Sequence, residues 1–87
     1  MNLKKKRIGI LGGSFDPAHN GHLAISKEAV KRFMLKEVIW AITKKNPFKT
    51  KSSLSLKSRI KGCKKIIKKI NLLRSNFMKI ELNQIKQ

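Results

Sequence analysis

The chain has 87 residues, enough for one small domain with a thin core, because a short chain buries a comparatively small share of its surface. With 40% hydrophobic residues, five glycines and two prolines it is composed to fold, which excludes a low-complexity tract; its single cysteine, Cys63, excludes an internal disulfide framework and a multi-cysteine metal site. A formal net charge of +18 would draw in nucleic acid, anionic lipid or phosphorylated metabolites. Most of the basic residues are lysines, which adenine-rich codons also produce, and they lack the interleaved aromatic residues on which nucleobases stack.

Met1 to Arg7 is basic like the start of a signal peptide, but Ile8 to Gly13 is too short an apolar stretch and runs into Ser14-Phe15-Asp16, which predicts a mature cytoplasmic N-terminus. Arg7 to Gly12 reads as a buried strand, followed by a loop containing Pro17. From about Asn20 or Gly21 to Met34, Leu23, Val30 and Phe33 recur at helical spacing while Lys27, Glu28, Lys31 and Arg32 face outward. Glu37 to Ile42 is a second strand, rich in branched and aromatic residues. Its run from Val38 to Ile42 is the longest apolar stretch, far below the roughly 20 residues that span a bilayer. Lys44 to Ser53 is a polar loop broken by Asn46-Pro47.

Ser55 then caps a second helix, weakened slightly by Gly62, in which Leu56, Ile60, Cys63, Ile67 and Ile70 share one face and lysines occupy the rest. Phe77 to Leu82 forms a third strand. Alternation of strand and helix predicts parallel pairing with right-handed crossovers. The expected fold is therefore α/β, a Rossmann-like parallel sheet truncated to about three strands and two helices, in a single partial domain over residues 1–87.

In such a sheet, ligands bind beyond the carboxyl ends of the strands, and Gly12 to His22 occupies that place. Gly12 and Gly13 lack side chains, so the backbone can bend sharply and approach a phosphate, while the first N–H groups of the next helix supply donors and a positive dipole end. The segment has neither the G-x-G-x-x-G spacing of dinucleotide sites nor the lysine of a P-loop. Instead His19 and His22, three residues apart, place two imidazoles on one side of the first helical turn, where they can donate to a phosphoryl group without a fixed charge.

The run Gly12-Gly13-Ser14-Phe15-Asp16-Pro17, with His19-Asn20-Gly21-His22-Leu23 after it, resembles the nucleotidyltransferases marked by an H-x-G-H motif, and among them the bacterial nicotinate-nucleotide adenylyltransferases. The likeness continues more loosely through Trp40, the loop Asn46-Pro47-Phe48-Lys49, and Ser55-Leu56 with Arg59. It covers only the N-terminal half of that family; the later Ser/Thr-rich motif with its arginine is not in this sequence. The resemblance implies that His19 and His22 contact the triphosphate of ATP and stabilise the transition state, that Gly12, Gly13, Ser14 and Phe15 line the nucleotide site, and that Lys49 helps neutralise phosphates. The implied substrates are ATP, carried with Mg²⁺, and nicotinate mononucleotide; no metal site of the chain's own is expected. Enzymes that adenylylate phosphopantetheine usually carry threonine in place of His19, and cytidylyltransferases usually lack the paired glycines, so both are disfavoured.

Several of these residues have plainer roles open to them. Asp16 suits a turn before Pro17 as well as it suits a ligand, Phe15 can pack beneath the loop, Trp40 fits a core strand better than a stacking platform, and Lys49 stands among other solvated lysines. The basic helix fits a cover for the sheet better than an element lying on RNA or membrane. Alternatives to the enzyme half are an inactive relative acting as a basic nucleic-acid-binding protein, and a subunit that self-associates or is completed by a second fragment.

Overall fold

Residues with branched or aromatic side chains on one face of a strand need a cover, and the order of elements supplies it. The computed structural model describes residues 7–44, 53–71 and 77–83. These form β1 (Ile8–Gly13), α1 (Asn20–Phe33), β2 (Glu37–Thr43), α2 (Leu56–Asn71) and β3 (Met78–Asn83). The strands lie in the order β1-β2-β3 and both pairings are parallel, Ile10 opposite Ile39 and Trp40 opposite Ile80. The fold is thus the Rossmann-like α/β arrangement expected from the alternation of elements.

Parallel strands added in one direction with crossovers of one hand put successive helices on the same side of the sheet. Here α1 touches β1 and β2, α2 packs on β3, and the helices meet each other. On that side Val38, Trp40 and Ile42 of β2 are fully or almost fully buried, with Phe15, Cys63, Ile67, Phe77 and Met78 completing the core. The thiol of Cys63 is pushed up to about 11 by burial, against the pull of the nearby Arg59 charge, which leaves it protonated and unreactive at neutral pH.

The opposite side explains one correction. β1, expected to be buried, exposes Ile8 and Ile10, the latter 71% accessible. Both stand in register with β2 on the face away from the helices, where the exposed Lys79 of β3 forms an ion pair with Glu37 at 3.2 Å. Phe33, expected on the apolar stripe of α1 beside Leu23 and Val30, is also exposed. Met34 takes a left-handed conformation (φ 52°) and ends the helix there. Leu35, beyond the turn, then packs on the core, filling space over Gly9 where a Cβ would stand 2.5 Å from its Cδ1.

The second helix begins as its sequence implies, with Ser55 Oγ accepting from the Ser58 N–H at 3.2 Å. It ends in a clasp: Asn71 Oδ1 accepts from the Met78 N–H and Asn71 Nδ2 donates to the Met78 carbonyl, each at 3.1 Å. Among the described residues no helix is long and apolar enough to cross a membrane.

The two faces of the sheet predict unequal costs. Ile42→Ala, at a fully buried position, is expected to destabilise by about 2–5 kcal/mol. Ile10→Thr is expected to cost less than about 1 kcal/mol. Chemical denaturation of the two variants beside the parent checks this, and equal costs would contradict the one-sided core.

Candidate phosphate-binding site

Because the strands are parallel, β1 and β2 end side by side, with Gly12 opposite Ala41 and Gly13 opposite Ile42. Gly12 and Gly13 are extended residues of β1, and neither has a positive φ. The expected sharp bend at these glycines is therefore absent. The chain turns instead at Phe15, whose φ of 52° lies in the left-handed region, and at the cis Asp16–Pro17 bond. At Gly12, which shares a face of β1 with Ile8 and Ile10, a Cβ would meet nothing within 4 Å, so packing does not demand the glycine.

Phe15 dives beneath the loop, 2% exposed, and its ring stacks on Trp40 with centroids 5.1 Å apart and meets His22 at 4.5 Å. Trp40 is wholly buried, as expected of a core strand residue. Its Nε1–H donates to Ser26 Oγ at 2.8 Å, and the Ser26 hydroxyl donates to the His22 carbonyl at 2.9 Å. The His22 backbone and ring are thus both braced from the centre of the sheet.

The two histidines cap α1. His19 is the N-cap, its Nδ1 accepting from the Gly21 N–H at 3.0 Å, and His22 Nδ1 accepts from the His19 N–H at 3.0 Å, a capping box built of imidazoles. The rings lie 4.1 Å apart. Two consequences follow from this chemistry. An Nδ1 that accepts has no proton, so a neutral ring carries it on Nε2, leaving Nε2–H as the donor each imidazole can offer. The N–H groups of Gly21 and His22 are already engaged with His19, the latter on its carbonyl at 3.0 Å. The expectation that the first helical N–H groups meet the anion is corrected accordingly: at these two positions the cap has exchanged backbone donors for imidazole donors.

His22 is held neutral. Burial, and then the proximity of His19, lower its pKa below the ordinary imidazole value. Gly21 explains the glycine between the histidines, because a Cβ there would stand 2.6 Å from Cε1 and 2.7 Å from Nδ1 of His19.

Asp16 does not reach a ligand position with its Oδ1, which accepts from the Leu54 N–H at 2.8 Å. Arg59, on α2, is buried and donates to the carbonyls of Ser14, Thr43 and Lys44. Thr43 Oγ1 donates to the Gly13 carbonyl at 3.1 Å. Gly12, Gly13, Ser14, Phe15, His19 and His22 are thus gathered at one end of the sheet, whereas Lys49 lies outside the described residues. Two surface hollows lie elsewhere, one along α1 beside Ala24, Ile25 and Phe33, another between α2 and β3 beside Ile67 and Ile80.

Parallel sheet, glycine-ended strand and histidine-capped helix define a Rossmann-like α/β domain with the paired imidazoles at the switch from strand to helix. A cytidylyltransferase-like family profile matches residues 10–87, and the chain belongs to that family. The probable nicotinate-nucleotide adenylyltransferase of Pelagibacter ubique (strain HTCC1062) is 61% identical over 77 residues, covering 88% of this chain and 43% of that protein. Its counterpart in Ruegeria sp. (strain TM1040) is 47% identical over 60 residues, covering 69% of this chain and 32% of that protein. A third, from Agrobacterium fabrum (strain C58 / ATCC 33970), is 39% identical over 61 residues. The chain spans less than half the length of these curated relatives.

The cap predicts a pH dependence. The folded pKa of His22 is depressed, so its contribution to stability is complete above the unfolded value of about 6.5 and is lost as pH falls through the folded value. The melting temperature of the parent is expected to fall from pH 7 to pH 5 more steeply than that of His22→Ala, as followed by circular dichroism. Parallel pH profiles would contradict the neutral cap.

A second outcome concerns Gly21→Ala. In a helix this change normally stabilises by about 0.8–1 kcal/mol. Here no gain in melting temperature is expected, together with a displaced His19 Hε1 resonance in proton NMR, because the new methyl takes the place of the ring. A stabilised variant with an unmoved resonance would contradict the close approach.

Proposed function

We propose that the chain is the ATP-binding part of a nicotinate-nucleotide adenylyltransferase, which transfers AMP from ATP to nicotinate mononucleotide, giving deamido-NAD and pyrophosphate. One observation carries the reading: the capping box spends both Nδ1 atoms on backbone and leaves two Nε2–H donors at the carboxyl end of β1. Relatives whose names carry that activity are 39–61% identical to the chain over 60 to 77 residues.

In this reaction an oxygen of the mononucleotide phosphate attacks the α-phosphorus of ATP in line. The bond from that phosphorus to the bridging oxygen breaks, and pyrophosphate leaves with the electron pair. No covalent enzyme intermediate is required, so the protein's part is orientation and charge stabilisation. His19 and His22 donate from Nε2 to the triphosphate as negative charge shifts toward the leaving group. Gly12 and Gly13 admit the phosphates, Ser14 and Phe15 shape the loop, and Lys49 adds a positive charge on the strength of the family resemblance alone. Mg²⁺ enters as the companion of the triphosphate. Among the described residues no three His, Cys, Asp or Glu side chains converge on one point.

Calorimetric titration with magnesium ATP tests the reading. Saturable binding is expected, and His19→Ala or His22→Ala should lower deamido-NAD formation by on the order of 100-fold, the usual consequence of removing one preorganised donor. Residues 1–87 alone are expected to turn over far more slowly than a full-length relative. Absence of ATP binding, or folded histidine variants that equal the parent in affinity and turnover, would overturn the assignment.

A second reading has its own observation: Lys57, Lys61, Lys64, Lys65 and Lys68 share the exposed face of α2. Polynucleotide affinity that falls steeply with salt, in the absence of ATP binding, would favour it.

A further inference from the structure

Arg59 is the most deeply buried charged residue described, 3% exposed, and its partners are unusual for a cation. Glu37, the other buried charge, meets Lys79. Arg59 meets carbonyls: Nη1 donates to Ser14 O at 2.9 Å and to Thr43 O at 2.7 Å, and Nη2 donates to Lys44 O at 2.8 Å. Its Nε is buried without a hydrogen-bond partner. Enclosing a guanidinium this way carries a substantial desolvation cost.

The placement gives that cost a purpose. Ser14 follows the carboxyl end of β1, while Thr43 and Lys44 lie at the carboxyl end of β2. Carbonyl oxygens at that end of a parallel sheet would repel an anion. Arg59 engages three of them and puts a permanent positive charge behind the loop, where the neutral His22 supplies none. The Asp16 bond to the Leu54 N–H makes a second tie between the same loop and the approach to α2.

We propose that Arg59 is a positioning residue for phosphate binding: it fastens the β1–α1 loop to the end of β2, turns the strand-end carbonyls to itself, and so makes the loop attractive to polyphosphate. The ligand half of this inference rests on the nucleotide reading; the tie itself does not. Arg59→Lys keeps the charge but loses the planar fork, and Arg59→Met removes both.

Two measurements on the full chain separate the parts. Hydrogen exchange without ligand should accelerate about tenfold or more in peptides covering residues 13–19 for both variants, since a loop loses its protection when its ties are cut. Titration with tripolyphosphate and with adenosine should show tripolyphosphate weakened on the order of ten- to hundredfold in Arg59→Met, less in Arg59→Lys, and adenosine changed by less than about threefold. Ile67→Ala, buried on the same helix, controls for lost stability: its melting temperature should fall with tripolyphosphate affinity within about twofold of the parent. Should Arg59→Met melt below the assay temperature, Arg59→Lys carries both readouts. Unchanged loop exchange, or equal losses for tripolyphosphate and adenosine, would overturn the proposal. A parent chain that binds neither ATP nor tripolyphosphate would sink the nucleotide reading and the ligand half with it, while the exchange data still decide the tie.

Discussion

The buried indole of Trp40 is where the central strand, the first helix and the loop between them meet. It lies on the central strand with no exposed surface, so its one polar atom needs a partner inside the protein. An unpaired buried donor costs about 1–3 kcal/mol. Ser26 meets that need, which sets the rotation of α1 against the sheet, and its hydroxyl hydrogen goes to the carbonyl of His22. The face of the same indole stacks on Phe15, a contact worth about 0.5–1.5 kcal/mol beyond its buried area. Strand, helix and loop are therefore registered by one side chain, and His22 inherits its position from all three.

Electrostatics follow from that registration. A helix N-terminus ordinarily offers backbone N–H groups to an anion. Here His19 commits the N–H groups of Gly21, on its Nδ1, and of His22, on its carbonyl, and Nε2 is the donor left to each imidazole. An imidazole donor stands farther from the helix axis than an amide and is held by a side-chain geometry that a single methyl at Gly21 would disturb. His22, its pKa lowered by burial and by the proximity of His19, adds no cation at neutral pH, and the permanent charge is placed at Arg59.

Much of this was legible in the sequence. Alternating apolar runs and amphipathic helices gave the order of elements, because that order depends on local chemistry, and the fixed spacing from Gly12 to His22 marked the candidate site. The misreadings have a common source in tertiary context. Ile8 and Ile10 read as buried because a continuous apolar run does not say which faces are covered, and Phe33 read as core because its periodicity holds until Met34 ends the helix. Ser26 and Arg59 are each a polar residue on the apolar stripe of its helix, Ser26 between Leu23 and Val30, Arg59 between Leu56 and Cys63. A polar side chain in such a place must find a buried partner. What no local pattern reveals is that those partners lie 14 to 45 residues away in the chain.

The covered and bare faces of the sheet divide the molecule's tasks. In parallel sheets both faces are usually packed. Here the helix-covered face carries Trp40, Phe15, Ser26, Arg59 and the histidine cap, while Ile8, Ile10 and the Lys79–Glu37 pair occupy the other. None of the hydrogen bonds that shape the loop crosses to that bare face among the described residues. Geometry of the site therefore depends on the integrity of the core between sheet and helices, not on what lies against Ile8 and Ile10.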